Sequence, residues 1–461
     1  MPFLLPAALF ALYRPFRRAV RTQMSIMPII LRLKLFEKQR FSSDAERLAA
    51  RDTLDEVLAT RFANFIASMR GAFVKAAQVL GSLEPSPVRP AYLRKIEPMT
   101  DSAPGGRPWW KVKRQLNREL RLLGHSGLES VFREFDREPI GTASVGQVHR
   151  AVLHSGEIVA VKLQYPDAKR LILTDLGNIH RVLSTLGKKA EAGVVREYRS
   201  RMSMEFDYET EARTMNLVSD YFMPGGGVSG GASRVTVPRS KTELSTRRLL
   251  VMEYFEGRSM RDSLRAKVKS YERYPAVIRL PLLLSLQRKT KRHLTSLLEA
   301  QAQQIFRLGT FNADPHPGNI FLLPGGSSRP LGLLDFGCSK TLSPTQRADL
   351  ARLFVALDKR DEDGIVEAAV AMGMETKNMN REVIINFATH FFDRDLAPMS
   401  PPQYLLELKA IDKITSLPKE FMLVARSSLL LRGLGAKLHA PVRMSSVWAK
   451  EARRYLRENE A

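Results

Sequence analysis

At 461 residues, the chain has room for two or three domains, or for one large bilobal enzyme with an extension. Its 44% hydrophobic and 26% charged residues are those of an ordinary globular protein, and a single cysteine, Cys338, excludes an internal disulfide and any cysteine-cluster metal site. A formal net charge of +24 favours a polyanionic partner, an anionic membrane face or nucleotide phosphates, unless it reflects an arginine bias with no partner behind it. The basic residues are scattered, with no zinc finger, RNP-type strand or aromatic-interleaved basic tract, which argues against nucleic acid.

No apolar run reaches the ~18 residues that span a bilayer. Residues 1–40 come closest: Met1 to Tyr13 is almost wholly apolar, and Arg14, Arg17, Arg18, Arg21, Arg32 and Lys34 all precede the first acidic residue, Glu37. Such a start reads as an organellar targeting segment or an amphipathic surface anchor, with a helix packed on the body as the plainer alternative. Residues 41–82 read as helical, because Leu48, Leu54, Val57, Leu58, Phe62, Phe65, Ile66 and Met69 recur at three- and four-residue steps. Pro and Gly interrupt the pattern at 84–90 and 103–108, and helical spacing resumes over 109–133 through Val112, Leu116, Leu120 and Leu122.

From Ile140 the pattern changes to strands. Val145 to Leu153, a turn at His154-Ser-Gly156, and Ile158-Val-Ala-Val-Lys162 predict a hairpin. Helical spacing returns from Ala168 to Asp220, residues 224–232 read as a glycine-rich insertion, and Arg248 to Glu253 predicts a buried strand running into Glu256-Gly-Arg258. Beyond it the chain is mainly helical. This order predicts an α+β, protein-kinase-like bilobal fold: a basic apolar segment at 1–40, a helical extension at 41–133, a small β-rich N-lobe at 134–257 and a larger helical C-lobe at 258–461.

Chemistry concentrates in two stretches, Asn312-Ala-Asp-Pro-His-Pro-Gly-Asn319 and Asp335-Phe-Gly337. Phosphoryl transfer from a nucleotide needs an Asp to orient the attacking oxygen, here Asp314, and an Asn and a second Asp to hold divalent metal on the phosphates, here Asn319 and Asp335. Upstream, Gly141-Thr142-Ala143-Ser144-Val145-Gly146 offers small residues that let backbone N–H groups approach phosphate oxygens. Lys162 ends the following strand, where a lysine is costly unless it faces phosphate and a carboxylate. Glu205, Asp207, Glu209 and Glu211 are candidates for that carboxylate, with Glu211 preferred, and Glu253 to Gly257 is the candidate hinge, whose exposed backbone would bind adenine. His316, between two prolines, is expected to order its loop by hydrogen bonding rather than to bind metal. After Gly337 the chain runs directly into an amphipathic helix with Leu342, Leu350, Leu353 and Phe354 as its apolar members, and it lacks Ala-Pro-Glu and a long activation segment, which disfavours a conventional peptide-docking kinase.

Lys75-Ala-Ala-Gln78, the small-residue loop, Glu205-Phe-Asp207, Asp314-Pro-His-Pro-Gly-Asn319 and Asp335-Phe-Gly337, in that order, resemble the AarF/UbiB (ADCK-type) atypical kinases over about residues 60–360. The resemblance implies that Lys75 and Gln78 belong to an N-terminal Lys-x-Gly-Gln element lying over the nucleotide site and linked to Glu205 and Asp207. It also implies that Glu211 pairs with Lys162, that Asp314 is the catalytic-loop Asp, and that Asn319 and Asp335 bind metal. Three departures stand out: Ala77 replaces the motif glycine, Gly141-Thr142-Ala143 replaces an alanine-rich triplet, and Asn312 takes the place of the usual kinase His. The expected ligands are ATP or ADP with Mg²⁺. The family association with isoprenoid quinone (coenzyme Q) and lipid metabolism implies a mitochondrial, membrane-associated setting, or a plastid or bacterial cytoplasmic membrane face, with quinone-pathway or lipid-metabolism proteins as partners. The alternative is a nucleotide-gated lipid-binding scaffold with little or no phosphotransfer.

Overall fold

The computed structural model describes residues 14–69, 73, 89–101, 106–142, 145–185, 192–193, 195–196, 199, 206–223, 234–324, 328–396, 399, 401–438 and 440–459. The chain divides into two compact units, one made of residues 1–81, 88–208 and 243–251, the other of residues 82–87, 209–242 and 252–461.

The first unit opens with helices α1 (Arg14–Glu37), α2 (Asp44–Met69), α3 (Pro90–Asp101) and α4 (Trp109–Leu122). Strands β1 (Phe132–Phe135), β2 (Gly141–Thr142), β3 (Gly146–Leu153) and β4 (Ile158–Gln164) follow, then α5 (Ala168–Thr185). Helix α6 (Tyr208–Phe222) leaves this unit after its first residue, β5 (Val235–Thr236) lies in the second unit, and β6 (Leu249–Glu253) returns to the first through Val251. The sheet runs β1-β3-β4-β6, antiparallel along β1-β3-β4, with β2 also paired to β3. The β3–β4 hairpin turns through Gly156 at φ 88°, a left-handed conformation that glycine adopts without a Cβ penalty.

Helix α4 covers one face of this sheet. Its Val112, Leu116 and Leu120 repeat every fourth position and pack with Phe132, Val159, Val161, Leu163, Leu249 and Val251. The fourth apolar residue read from periodicity, Leu122, is exposed, and the chain has already become strand by Phe132, so the helix is shorter than the expected 109–133. In α2, likewise, Leu48 and Val57 face solvent, while Asp55 is fully buried. Arg51 and Arg89 bracket that carboxylate, with Arg89 Nε 2.7 Å from Oδ2, and the Tyr92 hydroxyl donates to Oδ1 at 3.3 Å. Burial and the Asp55 charge push the Tyr92 hydroxyl up to about 12.

Helix α1 is held by its inner face. Thr22, Ile29 and Phe36 are buried, and Arg18 donates from Nε to the buried Asp175 of α5 at 2.7 Å. Its outer face carries exposed Met24, Met27, Leu31 and Leu35. A second buried relay fixes the segment before α4: the Arg107 N–H donates to Gln147 Oε1 at 2.7 Å, and Gln147 Nε2 donates to His149 Nε2 at 2.7 Å. With Nε2 accepting, the His149 proton is on Nδ1 and goes to the Asp136 carbonyl at 2.8 Å. Burial lowers the pKa of His149, consistent with this neutral form.

The second unit continues with β7 (Arg258–Ser259), α7 (Met260–Tyr271), α8 (Ala276–Ala302), β8 (Thr310–Asn312), β9 (Ile320–Leu322), β10 (Leu331–Leu333) and β11 (Ser339–Thr341). It ends with α9 (Pro344–Lys359), α10 (Glu362–Ala371), β12 (Glu375–Thr376), α11 (Arg381–Ala388), α12 (Pro401–Ile411), β13 (Ile414–Ser416), α13 (Lys419–Lys437) and α14 (Ser445–Asn459). Helix α9 starts with a capping box, Ser343 and Gln346 each satisfying the other's backbone N–H. Leu350, Leu353 and Phe354 are fully buried, and Phe354 lies 5.0 Å from the Trp448 ring of α14. The Trp448 indole N–H donates to the Leu298 carbonyl of α8 at 3.0 Å, so the largest core side chain is also hydrogen-bonded.

A wide π-type turn, Thr389–Asp393, buries His390 against Tyr404, ring centroids 4.0 Å apart. Burial, with the Arg432 guanidinium beside it, pushes the imidazole down to about 4. The folded pKa lies below the unfolded one, so the neutral ring contributes in full above pH 6.5 and that contribution is lost as pH falls toward 4. This one group is expected to remove about 3 kcal/mol of stability over that interval. Urea unfolding of the wild type and His390→Asn, at pH 7 and at about pH 4.5, checks it: the variant should show a clearly shallower pH dependence.

Candidate functional site

Two strand pairings frame the two motifs of the second unit. β8 pairs antiparallel with β11, Asn312 opposite Ser339, and β9 pairs antiparallel with β10, Ile320 opposite Leu333. The loop 313–319 and the loop 334–338 are therefore bounded by paired strands at both ends. Hydrogen bonds close each end: the Ala313 N–H donates to the Cys338 carbonyl at 2.8 Å, and the Leu334 N–H to the Asn319 carbonyl at 3.0 Å. Asn319 is thus joined through one backbone bond to the neighbour of Asp335.

Asn312 ties the loops together from beneath. Its Nδ2 donates to the Asp335 carbonyl at 2.7 Å, and its Oδ1 accepts the Asp314 N–H at 2.8 Å. Its own backbone is gripped by two glutamines, with its carbonyl accepting from Gln301 Nε2 at 2.8 Å and its N–H donating to Gln304 Oε1 at 3.2 Å. A His at 312 has no amide to make this pair of bonds in the same way, which gives the substitution a structural logic.

Asp314 faces Arg426 of α13, whose Nη2 is 3.1 Å from Oδ2. Helix α13 reaches the motifs at two further points: Glu420 pairs with Lys340 of β11 at 3.2 Å, and Ser427 Oγ accepts from Gln301 Nε2 at 2.9 Å. His316 orders its loop. Its N–H donates to the Asp314 carbonyl at 2.7 Å, its Nδ1 accepts the Gly318 N–H at 3.1 Å, and its carbonyl accepts from Asn319 N at 2.9 Å. An accepting Nδ1 puts the ring proton on Nε2.

Asp335 Oδ1 accepts the Gly337 N–H at 2.9 Å. A Cβ at Gly337 would stand 3.3 Å from this oxygen and 3.3 Å from Glu211 Oε2, so the carboxylate of Glu211, itself buried, reaches the glycine of the second motif. Asp314, Asn319, Asp335 and Glu211 are therefore gathered in one unit. Among the described residues no three His, Cys, Asp or Glu side chains form a metal cluster. Asp314, Asn319 and Asp335 give the two loops two carboxylates and one side-chain amide, oxygen donors of the kind a hard divalent cation takes.

The other sequence-identified residues lie in the first unit or along β6. Lys162 is half-buried on β4 opposite Val148, its Nζ 4.8 Å from the centroid of the Tyr208 ring. Asp207 directly precedes Tyr208, and Glu211 follows it by three residues in the second unit. Gly141 and Thr142 form β2, facing Val148 and Gln147. Gly146 is buried within β3 opposite Gln164, where a Cβ would run into the Leu163 carbonyl oxygen, so glycine here serves strand pairing. Glu253 ends β6 exposed, and its N–H donates to the Arg239 carbonyl at 2.8 Å. Lys75, Ala77, Gln78, Ala143, Ser144, Glu205 and the glycine-rich stretch 224–232 lie outside the described residues.

Arg426, Gln301 and Tyr208 were not singled out from sequence. One signal for Arg426 was available: it is a lone charge inside the apolar run Phe421 to Leu431, where an unpaired guanidinium would be costly.

Known proteins resemble this chain over most of its length. The ABC1 atypical kinase-like domain model matches residues 99–369. The chain is 24% identical to the AarF domain-containing kinase 1 of Drosophila melanogaster, over 94% of this chain and 81% of that one. It is 27% identical to the AarF domain-containing protein kinase 1 of Xenopus laevis, over 80% of this chain and 68% of that one. A plant protein, ACTIVITY OF BC1 COMPLEX KINASE 7, chloroplastic, of Arabidopsis thaliana, is 24% identical over 92% of this chain and 58% of its own length.

Proposed function

Because the chain belongs to the ABC1 atypical kinase-like family, with that family's α+β fold, we propose that it binds ATP or ADP with Mg²⁺ and hydrolyses or transfers a phosphoryl group. The observation that supports this reading most is the Asn312 brace, which holds the backbone of Asp314 and the backbone of Asp335 in one hydrogen-bonded unit. Asp335 and Asn319 are the residues to hold Mg²⁺, which when bound neutralises charge on phosphate oxygens. Asp314 orients the acceptor oxygen, of water or a small-molecule hydroxyl, and takes its proton. Arg426, with Nη2 3.1 Å from Oδ2 of Asp314, helps to orient that carboxylate. Lys162 and Glu211 position the phosphates, the small-residue loop 141–146 approaches them with backbone N–H groups, and the Glu253 carbonyl takes the adenine. Lys75 and Gln78, with Glu205 and Asp207, close over the nucleotide.

The acceptor in this reading is a lipid-linked hydroxyl or water, in isoprenoid quinone or membrane-lipid metabolism at a mitochondrial, plastid or bacterial membrane face, with proteins of those pathways as partners. Turnover of radiolabelled ATP by the purified protein, with and without vesicles carrying quinone-like lipid, tests it. Asp314→Asn should lower turnover by about 10²–10⁴-fold with nucleotide binding retained. Label on an isolated lipid supports transfer. Phosphate release stimulated by vesicles, with no labelled acceptor, supports hydrolysis coupled to a scaffold role, and efficient labelling of peptides would overturn the lipid reading.

A further inference from the structure

Helices α7 and α8 form a hairpin of unusual composition. From Arg261 to Ser285 no residue is buried, although all but residues 272–275 of the stretch are helical. Large apolar side chains are nevertheless frequent there: Val277 is 83% exposed and Leu280 60%, and Val268, Ile278 and Leu284 are exposed with them. Residues 260–292 also hold ten Lys and Arg against two acids, Asp262 and Glu272. Of the ten, Arg265, Lys267, Lys269, Arg273 and Arg279 lie at or beside the turn, and Arg288, Lys289, Lys291 and Arg292 follow on α8, all exposed.

The mount is firm. Ser259 caps α7 through the Asp262 N–H at 3.1 Å, and α8 beyond Leu286 runs into the core, where Leu298 receives the Trp448 indole. From Ala276 to Leu286 the helix extends roughly 15 Å past its first buried residue. Exposed apolar side chains on a fixed element, collared by basic residues, are costly in water and complementary to one kind of surface.

We propose that this hairpin docks the protein onto an anionic lipid surface, with Val277, Ile278, Leu280 and Leu284 entering the acyl boundary and the basic collar meeting lipid phosphates. A second copy of the chain would bring the same excess of positive charge against itself, so it is the poorer occupant. Docking is on the surface, not through it: among the described residues no helix is long and apolar enough to cross a membrane. Tyr271 and Tyr274, of a residue type that favours the membrane interface, lie at the turn. The proposal specifies the face of the membrane-proximal reading above, and because it needs no nucleotide it is tested without any.

The test is co-sedimentation of the full chain with phosphatidylcholine vesicles, with and without phosphatidylglycerol. Wild type should sediment with the anionic vesicles only, and added salt should weaken binding. Combined Val277→Ser, Ile278→Ser and Leu280→Ser, and separately combined Arg288→Gln, Lys289→Gln, Lys291→Gln and Arg292→Gln, should each weaken it roughly tenfold or more with an unchanged Tm. Sedimentation of both hairpin variants like wild type, or loss of binding only on Met24→Ser with Leu31→Ser in α1, would overturn the proposal. So would a wild-type dimer by light scattering that the apolar variant dissociates. Nucleotide turnover is not read in any arm, so failure here leaves the phosphoryl-transfer reading standing, and failure of that reading leaves this one.

Discussion

Asp335→Asn is expected to abolish Mg²⁺-dependent nucleotide binding. The variant removes the carboxylate proposed to hold a divalent cation while leaving the fold nearly untouched. The Asp335 carbonyl still accepts from Asn312 Nδ2, and an asparagine Oδ1 can still accept the Gly337 N–H. Lost is a full negative charge next to a divalent ion in a site where phosphates supply the other ligands, an interaction worth several kcal/mol. At 1.4 kcal/mol for each factor of ten, affinity for Mg-nucleotide should fall by about 10²-fold or more. A thermal-shift titration checks this directly: the nucleotide-dependent rise in Tm seen with Mg²⁺ should vanish, and an unchanged rise would refute the assignment of Asp335. Asn312→Ala should reproduce part of the loss, because it frees the backbones of both loops at once.

Arg426→Gln is expected to lower turnover by about 10²-fold while nucleotide affinity stays near wild type. Its guanidinium pairs with Asp314, the residue proposed to orient the acceptor. Both side chains are mostly shielded, 22% and 12% exposed, so removing the cation leaves a poorly solvated carboxylate with one charged partner fewer. A destabilisation of about 1–3 kcal/mol should accompany it, less than for a fully buried pair because solvent reaches both groups. The informative readout is the split between kcat and KM: kcat should fall with KM for nucleotide little changed, and Arg426→Lys should recover part of it. Combining Arg426→Gln with Asp314→Asn should cost little beyond Asp314→Asn alone, since the two act through one contact. Additive losses would show that Arg426 acts elsewhere.

The candidate site was legible in sequence to the extent that its chemistry demands particular residues at short spacing. Asp314 and Asn319 lie on the loop between β8 and β9 and Asp335 on the loop between β10 and β11, close along the chain, so local order nearly dictates their neighbourhood, and a backbone bond from Leu334 to Asn319 completes it. The role of His316 as a loop organiser followed from its two flanking prolines in the same way. Core positions were less legible. Three-and-four spacing in α2 and α4 marks apolar faces but not which part of a face another element covers, and so Leu48, Val57 and Leu122 are exposed while Asp55 is buried. β1 went unread although Gly124 and Gly127 break the helix before it, because its four residues, Phe132-Arg-Glu-Phe135, carry no apolar–polar alternation to mark a strand.

By itself, then, the sequence determines a kinase-like α+β fold and names the residues of the proposed phosphate and metal chemistry, because reactive groups cannot be exchanged for others of similar size and polarity. The tertiary structure alone decided what steadies that chemistry. Arg426 meets Asp314, and Gln301 links Asn312 to Ser427, across chain separations over which spacing carries no information. It also decided which apolar residues stay outside. Val277 and Leu280 read in sequence like any core helix, and it is because no element among the described residues covers them that they become a surface. Burial is a property of what packs against a residue, not of the residue.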